Sequence, residues 1–245
     1  EVPYMLARIR DHEGADAALA LLDLLRELRQ SFPRLRMVFT GSIGLHHVLD
    51  QLQPGTASAL APVNDMLRVE LPPLADDAAR ALATGLLTGE RLDVADVPGV
   101  ATAVAEAVDG IPYYVHHVID QLGQRPGPHT ADDVDELVDA CVDDPADPWN
   151  LRHYRERLRP YYDDREPLAL ACLDALAWAP LGLDEAALLN AARGVGLQPS
   201  RGELHDVLAD LARDHYVSRD PRGNQRMTFD LVARWWRRHR PAPAP

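Results

Sequence analysis

"RLRMVFTGSIGLHHVL", residues 34–49, passes from an apolar run through small polar residues into a helical pattern. The run "LRMVF" at 35–39 is too apolar to alternate, as expected of a parallel strand covered on both faces. Gly41, Ser42 and Gly44 make the bend, and "LHHVL" restarts as a helix. A strand–turn–helix joint of this kind presents polar groups to a ligand. Three readings meet here.

A phosphate cradle needs several glycines whose amides wrap an anion, usually with a basic side chain. This bend has two glycines, and the chain has no lysine: all 25 basic residues are arginine. That excludes a lysine Schiff base, a Ser–Lys dyad and the G-x-x-x-x-G-K-[ST] loop within these 245 residues. The second reading is a nucleophile elbow, Thr40-Gly41-Ser42-Ile43-Gly44, with Ser42 attacking and His46, His47, His116 or His117 as base. A serine hydrolase of that kind needs several strands on both sides of the serine, and the chain after residue 71 offers helices and one hairpin. The third is a sensor strand, whose polar tip hydrogen-bonds the attacking water or γ-phosphate and reports to the next helix. The stretch supplies the buried strand, the polar tip and the helix.

Working outward, "ADAALALLDLLRELRQS" at 15–31 places Leu19, Leu22, Leu25 and Leu28 on one side, the pattern of a one-sided helix. "LRVEL" at 67–71 is a second strand candidate, and this order of elements argues for the edge of an α/β sheet. From Asp76 the pattern predicts helices over 76–88, about 98–108, 111–122 and 130–142, then a short one around 151–158. The last segment predicts helices at 166–178, after Asp184 as N-cap, and at 200–213 behind a Ser200/Glu203 capping box. A hairpin through "DPRGN" and a final helix at 230–240 complete a winged-helix arrangement.

Apolar residues at 47% and charged residues at 26% suit an ordinary globular protein. No apolar run approaches the roughly 20 residues that span a bilayer, so no membrane contact is expected, and two cysteines outside any disulfide framework fit a reducing cytoplasm. Glu1 stands where a complete chain would have Met, so a piece of a longer protein is expected. Cys141 and Cys172 make neither a metal cluster nor a disulfide framework, and read as buried small hydrophobes. Of the net charge of −13, most lies in residues 1–160, with 26 acidic against 14 basic side chains. A polyanion is repelled there.

In this order the pieces resemble the P-loop ATPases of the AAA+/STAND group, in particular the archaeal-ATPase-like and bacterial signalling members. "EVPYML" at 1–6 resembles the end of a Walker B segment, which makes Glu1 the acid that polarises the attacking water. "RMVFTGS" resembles the sensor-1 strand, with Thr40 and Ser42 as its tip. "LRVELPPLADDAARAL" resembles the step into the helical lid, and "DGIPYYVHHVIDQL" its G-x-P motif, Gly110-Ile111-Pro112, whose proline packs near the adenine in relatives. "TFDLVARWW" stands where many STAND proteins open the last helix with Met-His-Asp; it keeps Asp230 but has Phe229 at the histidine position.

The resemblance implies a mostly α chain with minor β: residues 1–72 as the C-terminal part of a P-loop NTPase α/β core, 73–128 as the lid, 129–160 as connecting helices and 161–245 as the winged helix. It implies ATP or ADP with Mg²⁺ in the intact protein and a nucleotide-dependent signalling or regulatory switch. The first partner is then the N-terminal P-loop half, followed by self-association or a protein effector, and the fragment alone is expected to be inactive.

His46-His47 and His116-His117 cannot chelate as pairs, because neighbours on a helix point about 100° apart; no metal is expected. The 200–213 helix carries Glu203, Asp206, Asp210 and Asp214 against Arg201 and Arg213, which disfavours DNA. Arg219, Arg222, Arg226, Arg234, Arg237, Arg238 and Arg240 leave a DNA-backbone contact through the wing open, though not favoured. The rival function is a helical and winged-helix regulator that binds DNA or protein without nucleotide.

Overall fold

The structure is a computed structural model and describes residues 2–41, 44–52, 62–240 and 242. It is mostly helical with minor β, and divides into two compact units, Glu1–Glu70 with Pro160–Asp163, and Leu71–Arg159 with Asp164–Pro245.

In the first unit, α1 (Val2–Glu13) and α2 (Ala15–Ser31) are joined by the single residue Gly14, whose φ of 96° lies where glycine goes without steric cost. Leu6, Ala18 and Leu22 are buried where the two helices meet, and Val48 and Leu52 of α3 (Leu45–Leu52) are buried as well. Of the expected leucine stripe on α2, Leu22 is buried and Leu19, Leu25 and Leu28 are half-buried. Arg29 forks onto Asp65, with Nη2 to Oδ1 at 2.7 Å and Nε to Oδ2 at 3.1 Å, while its guanidinium lies 5.6 Å from the Phe39 ring centre. That hydrogen-bonded guanidinium holds the Asp65 carboxyl below the usual range. His47 is buried, with its ring centre 4.7 Å from that of Tyr162.

The two expected strands, 35–39 and 67–71, do not form. Among the described residues neither segment joins a ladder. A strand exists only through its neighbours' N–H and C=O groups, and no described segment supplies them. Val38, Leu67 and Leu71 stand 82%, 87% and 85% exposed, although their composition suits burial on both faces.

In the second unit, α4 (Asp76–Gly89), α5 (Val97–Ala107), α6 (Pro112–Gly123) and α7 (Ala131–Asp143) pack as a bundle. Ala79, Ala83 and Leu87 recur every fourth residue along α4, and Val100, Ala101 and Val104 are buried on α5. Their small side chains let the two backbones come close. Thr130 and Asp133 cap α7 reciprocally. Helices α8 (His153–Glu156) and α9 (Leu158–Tyr162), followed by the tight turn Asp163–Arg165, stand where one short helix was expected.

Three helices follow, α10 (Glu166–Ala177), α11 (Glu185–Gly194) and α12 (Arg201–Arg213), then a hairpin of β1 (Val217–Arg219) and β2 (Gln225–Met227), then α13 (Asp230–His239). Asp184 caps α11, and Ser200 with Glu203 forms the expected box on α12. The hairpin pairs Val217 with Met227 antiparallel, and Leu183 bonds Gln225 reciprocally at 2.8 Å in both directions. Trp235 and Trp236 are buried, and Trp236 Nε1 donates to Asp174 Oδ1 at 2.7 Å.

A polar joint fixes the hairpin. The guanidinium of Arg157 lies 4.4 Å from the Tyr154 ring centre and 4.9 Å from that of Tyr216. Its Nε donates to Tyr216 Oη at 2.7 Å, and that hydroxyl donates to the Tyr154 carbonyl at 2.6 Å. Burial pushes the Tyr216 phenol well above its ordinary pKa. Tyr216→Phe removes both bonds and should lower stability by about 1–2 kcal/mol, read from thermal or urea unfolding of the purified chain.

Candidate functional site: a cleft beneath the terminal helix

The turn that ends α5 is built from two consecutive left-handed residues, Asp109 at φ 53° and Gly110 at φ 64°. The Gly110 N–H donates to the Ala105 carbonyl at 2.8 Å, which closes the helix end. Gly110 also lies against the segment leading into α4: its carbonyl accepts the Leu74 N–H at 3.0 Å. A Cβ on Gly110 would sit 2.7 Å from the Leu74 carbonyl oxygen. Glycine is required here twice over, by conformation and by space.

Beside this turn opens a cleft of about 350 Å³. Asp76, Ala79 and Arg80 of α4, Glu106 of α5, Asp109 and Gly110 form one wall, and Thr228 and Phe229, just before α13, form the other. Asp109 crosses between them. Its Oδ1 accepts the Asp230 N–H at 3.0 Å and its Oδ2 accepts the Leu231 N–H at 2.9 Å. Phe229, the helix's own N-cap residue, has no polar side chain to do this. An aspartate 121 positions away in sequence therefore caps α13.

The cleft is acidic, with Asp76, Glu106 and Asp109 against Arg80, which makes no ion pair among the described residues. Thr228 Oγ1 is buried there without a hydrogen-bond partner. Desolvation pushes the Asp109 carboxyl above 3.8; the bonds from Leu231 and Asp230 pull it down, the Asp230 charge raises it and Arg234 lowers it. Among the described residues no histidine or cysteine lines the cleft.

Of the residues the sequence singled out, Gly110 is in this wall. Pro112 sits in the first turn of α6, exposed and outside the lining. Thr40 belongs to the first unit, where its carbonyl accepts the Val2 N–H at 3.0 Å. Glu1 and Ser42 lie outside the described residues. The structure brings "DGIP" and "TFD" together, although the sequence reading treated them as separate motifs. Asp109 went unnoticed because capping is normally read within a few residues of the helix start.

The arginines of α13 are engaged inside this unit. Arg234 pairs with Asp139 at 2.7 Å, Arg238 with Asp143 at 3.3 Å, Arg240 with Asp174, and Arg237 donates to the Ala177 carbonyl at 2.7 Å. Both cysteine thiols are buried and free, and burial pushes that of Cys172 up to about 12. No described helix is long and apolar enough to cross a membrane.

No protein-family profile and no curated protein matches the chain. Among solved structures it is similar to the Walker-type ATPase PABY2304 of Pyrococcus abyssi, at 18% identity and a TM-score of 0.64 over 90% of this chain. Over nine-tenths of its length the chain shares the fold of part of that protein. It spans 58% of that neighbour's length.

Two outcomes follow from the turn. Gly110→Ala should cost about 2 kcal/mol or more in urea unfolding, from the left-handed φ and the contact with Leu74 together. A carboxyl whose folded pKa is raised contributes stability that is present below its unfolded value and is lost as pH rises through the folded one. Relative to Asp109→Asn, the wild type should therefore lose stability as pH climbs from 3.8 through the raised folded value, measured as urea midpoints from acid to neutral pH.

Proposed function

We propose that this chain is the C-terminal region of an ATP-binding STAND/AAA-type ATPase that works as a nucleotide-dependent switch. The observation that carries the reading is the shared fold, which extends over nine-tenths of this chain but only 58% of a Walker-type ATPase. The Val2–Thr40 contact supports it, because a catalytic acid at residue 1 and a sensor tip at 40 have to lie together. So do the exposed apolar runs at 35–39 and 67–71. They are suited to a parallel sheet whose remaining strands come from the P-loop half of the protein.

The residues present suit one side of a nucleotide site. Thr40, exposed at the end of its segment, has a hydroxyl to offer a γ-phosphate or an attacking water, and Ser42 lies two residues on. Glu1 would polarise that water. The phosphate cradle and its lysine have to come from elsewhere, since no lysine occurs in these 245 residues. Mg²⁺ and ATP, once bound, supply the charge-neutralised phosphoryl group on which this chemistry acts. Gly110 and Pro112, on the lid, would close toward the base, and the winged helix formed by α10 to α13 would move with them. The effector is then a protein surface rather than DNA, since carboxylates and a carbonyl already hold the arginines of α13.

The 245-residue chain alone should show no micromolar ATP affinity by calorimetry. Joined to the segment that carries the phosphate loop, it should bind ATP, and Thr40→Ala should slow hydrolysis by roughly 10- to 100-fold, the loss of one hydrogen bond to a charged group. Tight ATP binding by the chain alone sinks the reading. So does salt-dependent DNA binding that Arg222→Ala weakens, which is the signature of the nucleotide-free regulator.

A further inference from the structure

The Asp109 carboxylate does what α13 cannot do for itself. The first amides of a helix have no partner within it, and Phe229 offers them none. Asp109 meets two of them from the opposite wall of the cleft, with both oxygens at hydrogen-bond distance. The same turn holds the segment entering α4 through the Leu74–Gly110 bond. One two-residue turn thus ties together the start of the bundle, the end of α5 and the start of the terminal helix. The left-handed backbone that aims the carboxylate is one that aspartate tolerates better than most residues.

We propose that Asp109 is a built-in latch: its carboxylate caps α13 across the cleft and holds the terminal helix against the bundle, and losing that cap frees the first turn of α13. The groups facing it are Asp76 and Arg80 from α4, Glu106 from α5, and Asp230 and Arg234 from α13. Further along α13 the pairs to Asp139 and Asp143 are partly exposed, so solvent screens them, and the Asp109 bonds hold the helix start. The latch itself stands on geometry within one unit. Its meaning as the regulated contact of a switch rests on the function proposed above.

The test is hydrogen exchange on the nucleotide-free 245-residue chain and two variants. Asp109→Gly removes the carboxylate but keeps the left-handed backbone; Asp109→Asn keeps one acceptor. The Asp230 and Leu231 amides should exchange roughly 5- to 30-fold faster in Asp109→Gly, the range set by a lost cap, with a smaller change in Asp109→Asn. Amides in the middle of α4 should be unchanged. Added sodium formate, a free carboxylate, should restore protection in Asp109→Gly and leave the wild type as it was. Three results overturn the latch: unchanged protection of both amides in Asp109→Gly, failure of formate to restore it, or global unfolding of both variants seen as loss of the helical circular dichroism signal. Failure to bind nucleotide after reconstitution would instead remove the switch reading and leave the latch intact.

Discussion

The close approach of two backbones at Gly110 and Leu74 is the constraint on which the second unit turns. A side chain at 110 would collide with the Leu74 carbonyl, so the segment entering α4 lies this close to the turn only because residue 110 has no Cβ. The segment held there leads into α4, and α4 and α5 carry one wall of the cleft. The left-handed step at 109 then aims a carboxylate across the gap. Helix packing, the cleft and the capping of α13 are consequences of one helix ending.

Charge is arranged with similar economy. The chain is strongly acidic and has no lysine, and its arginines act as planar, multi-donor fasteners. Arg29 forks onto Asp65 while covering Phe39, Arg157 sits between two tyrosine rings, and Arg240 joins Asp174 beside the Trp236 indole. An ammonium group could not stack and fork at once. At the arginine-rich end of the sequence, which on composition alone invites a polyanion, Arg234 and Arg238 pair with carboxylates of α7 and Arg240 with one of α10.

The helices were legible because each carries its own signals. The stripe of α2, the Ser200/Glu203 box, the Asp184 cap and the hairpin turn before Gln225 are local features, decided within a few residues. The two apolar runs at 35–39 and 67–71 were read as strands from composition, and composition was an insufficient guide. A buried strand is a property of the sheet around it, and the described residues provide no neighbour to pair with these runs. Gly110 was singled out within a family-like motif, and the structure gives the physical reason for glycine there. Pro112, from the same motif, lies outside the cleft. Asp109, next to it, carried no signal at all.

The sequence by itself determined the helix of residues 15–31, most of the helices and the hairpin after Asp76, the lack of a lysine-based phosphate loop in these 245 residues, and the acidic character of the chain, because propensity, capping and charge are written residue by residue. Only the tertiary structure decided that residues 109–110 and 228–231 share one cleft, that Arg234 and Arg238 of α13 meet carboxylates of α7, and that Thr40 lies beside Val2. Each of those is a contact between positions tens to more than a hundred residues apart, and no local pattern records which distant backbone amide a given carboxylate will meet.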